Sequence, residues 1–412
     1  MRLRFESYGC ALNRGQAREL EELAEERGHS TDASERDADA VLVATCTVIQ
    51  STENRMLARL RVLRERGKRV VVAGCMAVSG ADRVRKACPE AVLLPPGDYG
   101  RFPELLAALG DIGPGPRAPR AFSASVEEIP VADGCRGKCT FCITRLARGR
   151  LTSRPLDDIV SRVRAVVTRG CVEVRLAAQD IGLYGRDIGT GLPHLLERVC
   201  GLEGNFRVRV GMMNPESLLP GMDRLMRSFE HPKMFKFLHV PVQSGSDALL
   251  EKMGRGHTPG DYLEVVERYR GAFPCGLLAT DAIVGFPGET EEAFGQTLDL
   301  MGHARPDIIN IKAFSPRPGT PAFGLKDRPG RAVVQKRIAR LQRLRRRISL
   351  DNNLRLVGRL ENVLVTEKAR RGGVLARTEN YHPVLLEKDL APGSIVQLRV
   401  IGARMGFLLG NI

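Results

Sequence analysis

Short apolar runs alternate with longer stretches of helical periodicity along the first hundred residues. LRFESY, ADAVLVAT and KRVVVAG read as strands, each followed by a helix-like segment. That alternation predicts a small parallel α/β domain over residues 1–112. A stretch rich in Gly and Pro, GDIGPGPRAPRAFSAS, then reads as a linker. From residue 126 the alternation resumes at greater length, with strands EEIPVAD, CVEVRLAA, FRVRVGM, KFLHVPV, GLLATDAIVGF and DIINIKAF. Helical segments such as LDDIVSRVRAVVTR and PGDYLEVVERYRGAF separate most of them. Six such units predict an open or partial barrel, in which chemistry sits at the C-terminal strand ends. RAVVQKRIARLQRLRRRISLDNNLRLVG reads as one long helix completing a domain of residues 126–350. Beyond it, GRLENVLVTE, GGVLART, SIVQLRVIG and MGFLLGNI predict a small β-barrel over 351–412, the oligonucleotide-binding type being one common example.

Composition adds a compartment and a partner. No apolar run approaches bilayer-spanning length, and MRLRFESYGC starts a strand without a signal-peptide core, so no membrane role and a cytoplasmic location are expected. Ten cysteines in such a chain point to metal ligation or catalysis rather than disulfides. The net charge of +15 favours polyanions, nucleic acid first among them. Lys336, Arg337, Arg340, Arg343, Arg345, Arg346 and Arg347 crowd the long helix, where phosphate contacts would give affinity without base readout. With 5% aromatics and no Trp, extended base stacking on this surface is not expected.

The sharpest motif is DGCRGKCTFCITR, which puts Cys135, Cys139 and Cys142 at i, i+4 and i+7. A structural zinc site would close with four protein ligands. Here the fourth is not local, Cys171 lying in another βα unit. An iron–sulfur cluster held by three cysteines leaves one iron open to a cofactor. Downstream, AAQDIGLYG, HVPVQSGSD and AIVGFPGETEE end predicted strands. Gln179, Asp180, Gln243 and Ser244 are candidate cofactor contacts there, while Gly245, Gly285 and Gly288 allow close backbone approach. Arg209 and Arg255, near strand ends, are candidates for a substrate carboxylate, and Arg255 also for cofactor binding.

CRGKCTFC, placed after the first strand of a βα series, resembles the loop of the radical S-adenosylmethionine enzymes. The resemblance implies a 4Fe–4S cluster whose open iron binds S-adenosylmethionine, cleaved reductively to a 5′-deoxyadenosyl radical, with Phe141 beside the cluster and the adenine.

Three further cysteines, Cys10, Cys46 and Cys75, each follow a predicted strand of the N-terminal domain, where strand ends line the crevice of an open α/β sheet. YGCALN, TCTV and AGC around them resemble the N-terminal domain of the methylthiotransferases, and the resemblance covers essentially the whole chain. It implies a second 4Fe–4S cluster on these cysteines that carries the transferred sulfur, and a C-terminal TRAM domain that binds RNA. It further implies tRNA as substrate, a low-potential electron donor and a sulfur source. One S-adenosylmethionine would methylate the sulfur; a second would yield the radical that abstracts a hydrogen from an aromatic carbon, which then receives the methylthio group. Cys88, Cys171, Cys200 and Cys275 match no family ligand and read as structural. ATCTVIQSTENRMLARLR and FSPRPGTPA look most like the branch acting on threonylcarbamoyladenosine beside the anticodon. Isopentenyladenosine tRNA, a ribosomal-protein aspartate, and a zinc-containing RNA-binding protein stand as the alternatives.

Overall fold

The computed structural model describes residues 1–110, 125–369 and 372–412, so the linker reading falls, from 111 to 124, outside the described residues. Strands β1 (Leu3–Ser7), β2 (Ala40–Thr45), β3 (Arg69–Gly74) and β4 (Val92–Leu94) form a parallel sheet in sequential order. All six residues of β2 are buried, as a central parallel strand covered on both faces requires. The fourth strand, only three residues long, left no readable run in the sequence.

The central region supplies β5 (Val126–Pro130), a short hairpin of β6 (Ala132–Asp133) and β7 (Thr152–Ser153), then β8 (Glu173–Ala177), β9 (Arg207–Val210), β10 (Phe237–His239), β11 (Leu277–Val284) and β12 (Ile308–Ala313). β5, β8 and β9 pair in parallel, as do β10, β11 and β12. A bridge between Val208 and Met234 joins the two halves into the expected open barrel of six parallel strands. Along each strand one set of residues faces the helices: Val174, Leu176, Val208, Val210, Leu238 and Leu278 belong to the main apolar core. The alternate set, including Glu128, Arg175, Arg209, His239, Asp281 and Asn310, therefore faces the lumen. The helices are locally encoded; Thr258 and Asp261 make a capping box with Pro259 at the first turn of the helix Pro259–Ala272.

The C-terminal strands β13 (Leu360–Lys368), β14 (Val374–Thr378), β15 (Pro383–Leu386), β16 (Ile395–Arg404) and β17 (Phe407–Asn411) close into a barrel in the order β13-β14-β15-β17-β16. β15 begins at Pro383, and a proline demotes a strand pattern in sequence, so only four of the five were legible. This barrel seals the N-terminal end of the central one. Tyr381 packs edge-on against Phe235 and at a tilt against Phe237 (ring centroids 4.8 and 4.9 Å apart) and donates to Glu173 Oε1 at 2.6 Å. At the other side, the helix Ala11–Glu26 lies across β5, where a Cβ on Gly15 would sit 2.5 Å from the Glu128 carbonyl. The long basic helix runs from Arg331 to Leu354. No helix among the described residues is long and apolar enough to cross a membrane.

Candidate active site

The loop between β6 and β7 carries Cys135, Cys139 and Cys142. Its neck is tight: a Cβ on Gly134, whose φ is +70°, would strike the Arg150 backbone, and Cys135 N–H donates to the Gly149 carbonyl at 3.3 Å. Thr140 N–H reaches the Met253 carbonyl at 2.8 Å, pinning the loop to the end of the helix Asp247–Lys252. A Cβ on Gly137 would lie 3.3 Å from Cys135 Sγ and 3.8 Å from Cys139 Sγ, so the bare glycine leaves the two sulfurs a shared cradle. Its amide donates to Cys135 Sγ at 3.2 Å. Burial pushes the Cys135 thiol up to about 11, with the Asp180 carboxylate and the other two cysteines adding to it, and raises Cys142 as well.

Cys10, Cys46 and Cys75 are neighbours just beyond the C-terminal ends of β1, β2 and β3. A Cβ on Gly9 would sit 2.4 Å from Cys46 Cβ, and Cys75 N–H donates to the Thr45 carbonyl at 3.2 Å. Burial pushes the Cys46 thiol up to about 11, Cys10 and Cys75 each contributing a further upward push. Cys10 is exposed at the start of its helix, so this mouth opens outward.

Two buried guanidiniums point at these sulfurs. Arg255 donates from Nη1 to Cys139 Sγ at 3.2 Å and from Nη2 to Asn214 Oδ1 at 2.7 Å. Arg148 donates from Nε to Cys75 Sγ at 3.3 Å. A cationic donor at one sulfur of each set, with a glycine beside the cysteines, suits an anionic group held by thiolates. No three His, Cys, Asp or Glu side chains among the described residues stand close enough to share one metal ion.

The other expected contacts divide. Gln179 keeps a buried Oε1 without a partner, and Gln243 adopts φ +77°, a strained conformation for a residue with a side chain. Asp180 is buried and already accepts from Asn214 Nδ2 (2.7 Å) and Ser217 Oγ (2.8 Å); it organises the loop after β9 and, through Asn214, Arg255. Ser244 is buried against Thr297, their hydroxyls 3.3 Å apart. Gly245 and Gly285 serve helix packing: a Cβ would lie 2.4 Å from the Gln296 carbonyl and 2.6 Å from Val334 Cγ2, respectively. Phe141 packs edge-on against Phe286, centroids 6.4 Å apart.

The lumen between the strands is polar. Asp281 accepts from Asn310 Nδ2 at 2.7 Å and lies 3.2 Å from His239 Nε2, an interaction that holds its carboxyl below the usual range despite burial. Arg175 is paired with Glu173 and Glu128. Arg209 is different: its guanidinium lies 4.3 Å over the Phe237 ring and 5.4 Å over Tyr381, its Nε is buried without a partner, and no carboxylate pairs with it among the described residues. The basic helix also divides. Arg343, Arg346 and Arg347 are exposed, but Arg337, expected to face a polyanion, is buried and donates to Glu289 Oε2 at 2.8 Å. Arg148, Asp133 and Asn214 went unmarked in the sequence because no spacing ties them to the cysteines they serve.

Residues 129–301 match the radical SAM superfamily model, residues 2–94 the model described as uncharacterized protein family UPF0004, and residues 354–412 the TRAM domain. A protein of Archaeoglobus fulgidus, named a probable threonylcarbamoyladenosine tRNA methylthiotransferase, is 38% identical across 100% of this chain and 99% of its own length. A tRNA-2-methylthio-N(6)-dimethylallyladenosine synthase of Streptomyces griseus is 33% identical, covering 98% of this chain and 86% of that protein. Among solved structures, the radical S-adenosylmethionine methyltransferase TsrM of Kitasatospora setae shares the fold at TM-score 0.59, with 16% identity over 78% of this chain and 77% of that one.

Proposed function

The chain belongs to the radical S-adenosylmethionine tRNA methylthiotransferases, and from that premise we propose that it converts threonylcarbamoyladenosine beside the tRNA anticodon to its 2-methylthio derivative. The fold implies S-adenosylmethionine and a 4Fe–4S cluster. Within the proposal Cys135, Cys139 and Cys142 hold that cluster, while Cys10, Cys46 and Cys75 hold a second. When bound, these groups supply the hydrogen abstraction and the sulfur; no acid–base route opens an unactivated aromatic C–H bond. Gln179 and Gln243 at the strand ends are the remaining polar groups for S-adenosylmethionine, and Phe141 backs the site. The exposed arginines of the helix Arg331–Leu354 and the C-terminal barrel receive the tRNA. Turnover requires a low-potential electron donor and a sulfur source.

The observation that carries the substrate choice is full-length similarity: relatives at 38% and 37% identity are named probable threonylcarbamoyladenosine tRNA methylthiotransferases, and those named dimethylallyladenosine synthases reach 33%. Arg209, a candidate for the substrate carboxylate, instead lies at the sealed N-terminal end of the barrel, over Phe237 and Tyr381. The reconstituted enzyme is expected to convert tRNA bearing threonylcarbamoyladenosine and to leave dimethylallyladenosine tRNA unchanged, read by nucleoside mass spectrometry. Product from the second tRNA alone would overturn the substrate reading.

A further inference from the structure

Arg148 joins the two cysteine sets. It ends the short helix Ile143–Arg148, whose N-cap is Cys142, and its side chain is wholly buried. From there Nη1 donates to Asp133 Oδ1 at 2.5 Å and to Gln16 Oε1 at 2.7 Å, while Nη2 reaches Asn13 Oδ1 at 3.5 Å. Asp133 and Arg148 flank the loop of Cys135, Cys139 and Cys142, so their ion pair closes its neck. Gln16 Nε2 donates to the other oxygen of Asp133 at 2.7 Å. Asn13 and Gln16 sit on the helix that begins after Cys10, so they bring that helix onto the same guanidinium. The remaining donor, Nε, is aimed at Cys75 Sγ.

We propose that Arg148 is a positioning residue that couples the two sites: it fixes the neck of one cysteine loop and, through its hydrogen bond to Cys75, sets the reduction potential of the group held by Cys10, Cys46 and Cys75. This rests on the reading of those three cysteines as ligands of their own cluster. A cationic hydrogen bond to a ligand sulfur stabilises the more negative, reduced state, so its loss lowers the potential. One guanidinium cannot serve both sites unless they hold a fixed spacing, and passing a methylthio group from one site to a substrate carbon activated at the other requires such spacing.

The test uses the full chain with Cys135, Cys139 and Cys142 replaced by Ala, reconstituted anaerobically with iron and sulfide, so that only the second set can hold a cluster. Iron content and a paramagnetic resonance redox titration are then compared with Arg148 intact, Arg148→Lys and Arg148→Gln. The expected result is one cluster per chain, a midpoint potential lowered in Arg148→Gln, and a smaller downward shift with an altered spectrum in Arg148→Lys. The lysine keeps the charge but not the aimed Nε–H. Unchanged midpoint and spectrum in both variants overturn the inference. If the Arg148-intact protein holds no iron, it is the two-cluster reading that fails. If Arg148→Gln alone loses iron, Arg148→Lys decides by the same titration.

Discussion

Replacing Cys10, Cys46 or Cys75 by Ala is expected to abolish methylthio transfer while leaving reductive cleavage of S-adenosylmethionine to 5′-deoxyadenosine in place. Replacing Cys135, Cys139 or Cys142 is expected to abolish both. The two sets lie on different scaffolds, one on parallel strand ends of the N-terminal sheet and the other on the loop between β6 and β7. Each has its own glycine clearance, Gly9 beside Cys46 and Gly137 between Cys135 and Cys139. Each also has its own guanidinium donor. Nothing in the protein substitutes for the chemistry either group supplies, so the loss approaches the whole acceleration, on the order of 10⁶-fold or more. Iron and sulfide analysis, deoxyadenosine chromatography and nucleoside mass spectrometry read the three consequences separately. Full transfer by a Cys10 variant would remove it from the ligand set. Loss of deoxyadenosine formation in all six variants would show the sets to be one interdependent site.

Much of this arrangement is legible in the sequence, for particular reasons. The i, i+4, i+7 spacing of Cys135, Cys139 and Cys142 puts three thiols on one loop, a local pattern that sequence alone shows. Cys10, Cys46 and Cys75 share no spacing, but parallel sheets place successive strand ends at one edge, and that topological rule was enough. What packs around these cysteines was not legible. Asp133 and Arg148 meet only because Gly134 and Gly149, both at positive φ, turn the loop back on itself. Arg255 reaches Cys139 from 116 residues away. Composition also misled in places. Arg337 looks like its neighbours on a basic helix, yet the turn of the helix buries it against Glu289, whereas Arg343 and Arg347 stay exposed. Gly245 and Gly285 end strands as ligand-approach glycines would, but the atoms nearest their missing Cβ belong to packing helices.

Arg317→Ala is expected to destabilise the protein by about 3 kcal/mol and to uncouple the N-terminal domain from the barrel. Arg317, in the FSPRPGTPA loop after β12, is buried and donates from Nη1 to Glu53 Oε2 at 2.5 Å and to Gln50 Oε1 at 3.0 Å. Glu53 has no exposed side-chain surface and sits on the helix Gln50–Glu65, which follows Cys46. Removing the arginine strands a carboxylate that water cannot reach, the costly way to break a buried pair. Arg83 still pairs with Glu53, which keeps the loss toward the lower end of the range for such breaks. Replacing both partners, Glu53→Gln with Arg317→Met, is expected to cost less than the single change, because no bare charge remains inside. Urea unfolding of the three proteins measures this directly, and a single variant as stable as the parent would show that the pair contributes nothing. The functional consequence follows from where the pair sits. It holds the helix after Cys46 to the loop after β12, so a variant that keeps its fold but loosens this contact should still form deoxyadenosine while its methylthio yield per deoxyadenosine falls. That ratio, measured below the unfolding temperature, separates a contact that merely stabilises the chain from one that also keeps the sulfur within reach of the substrate.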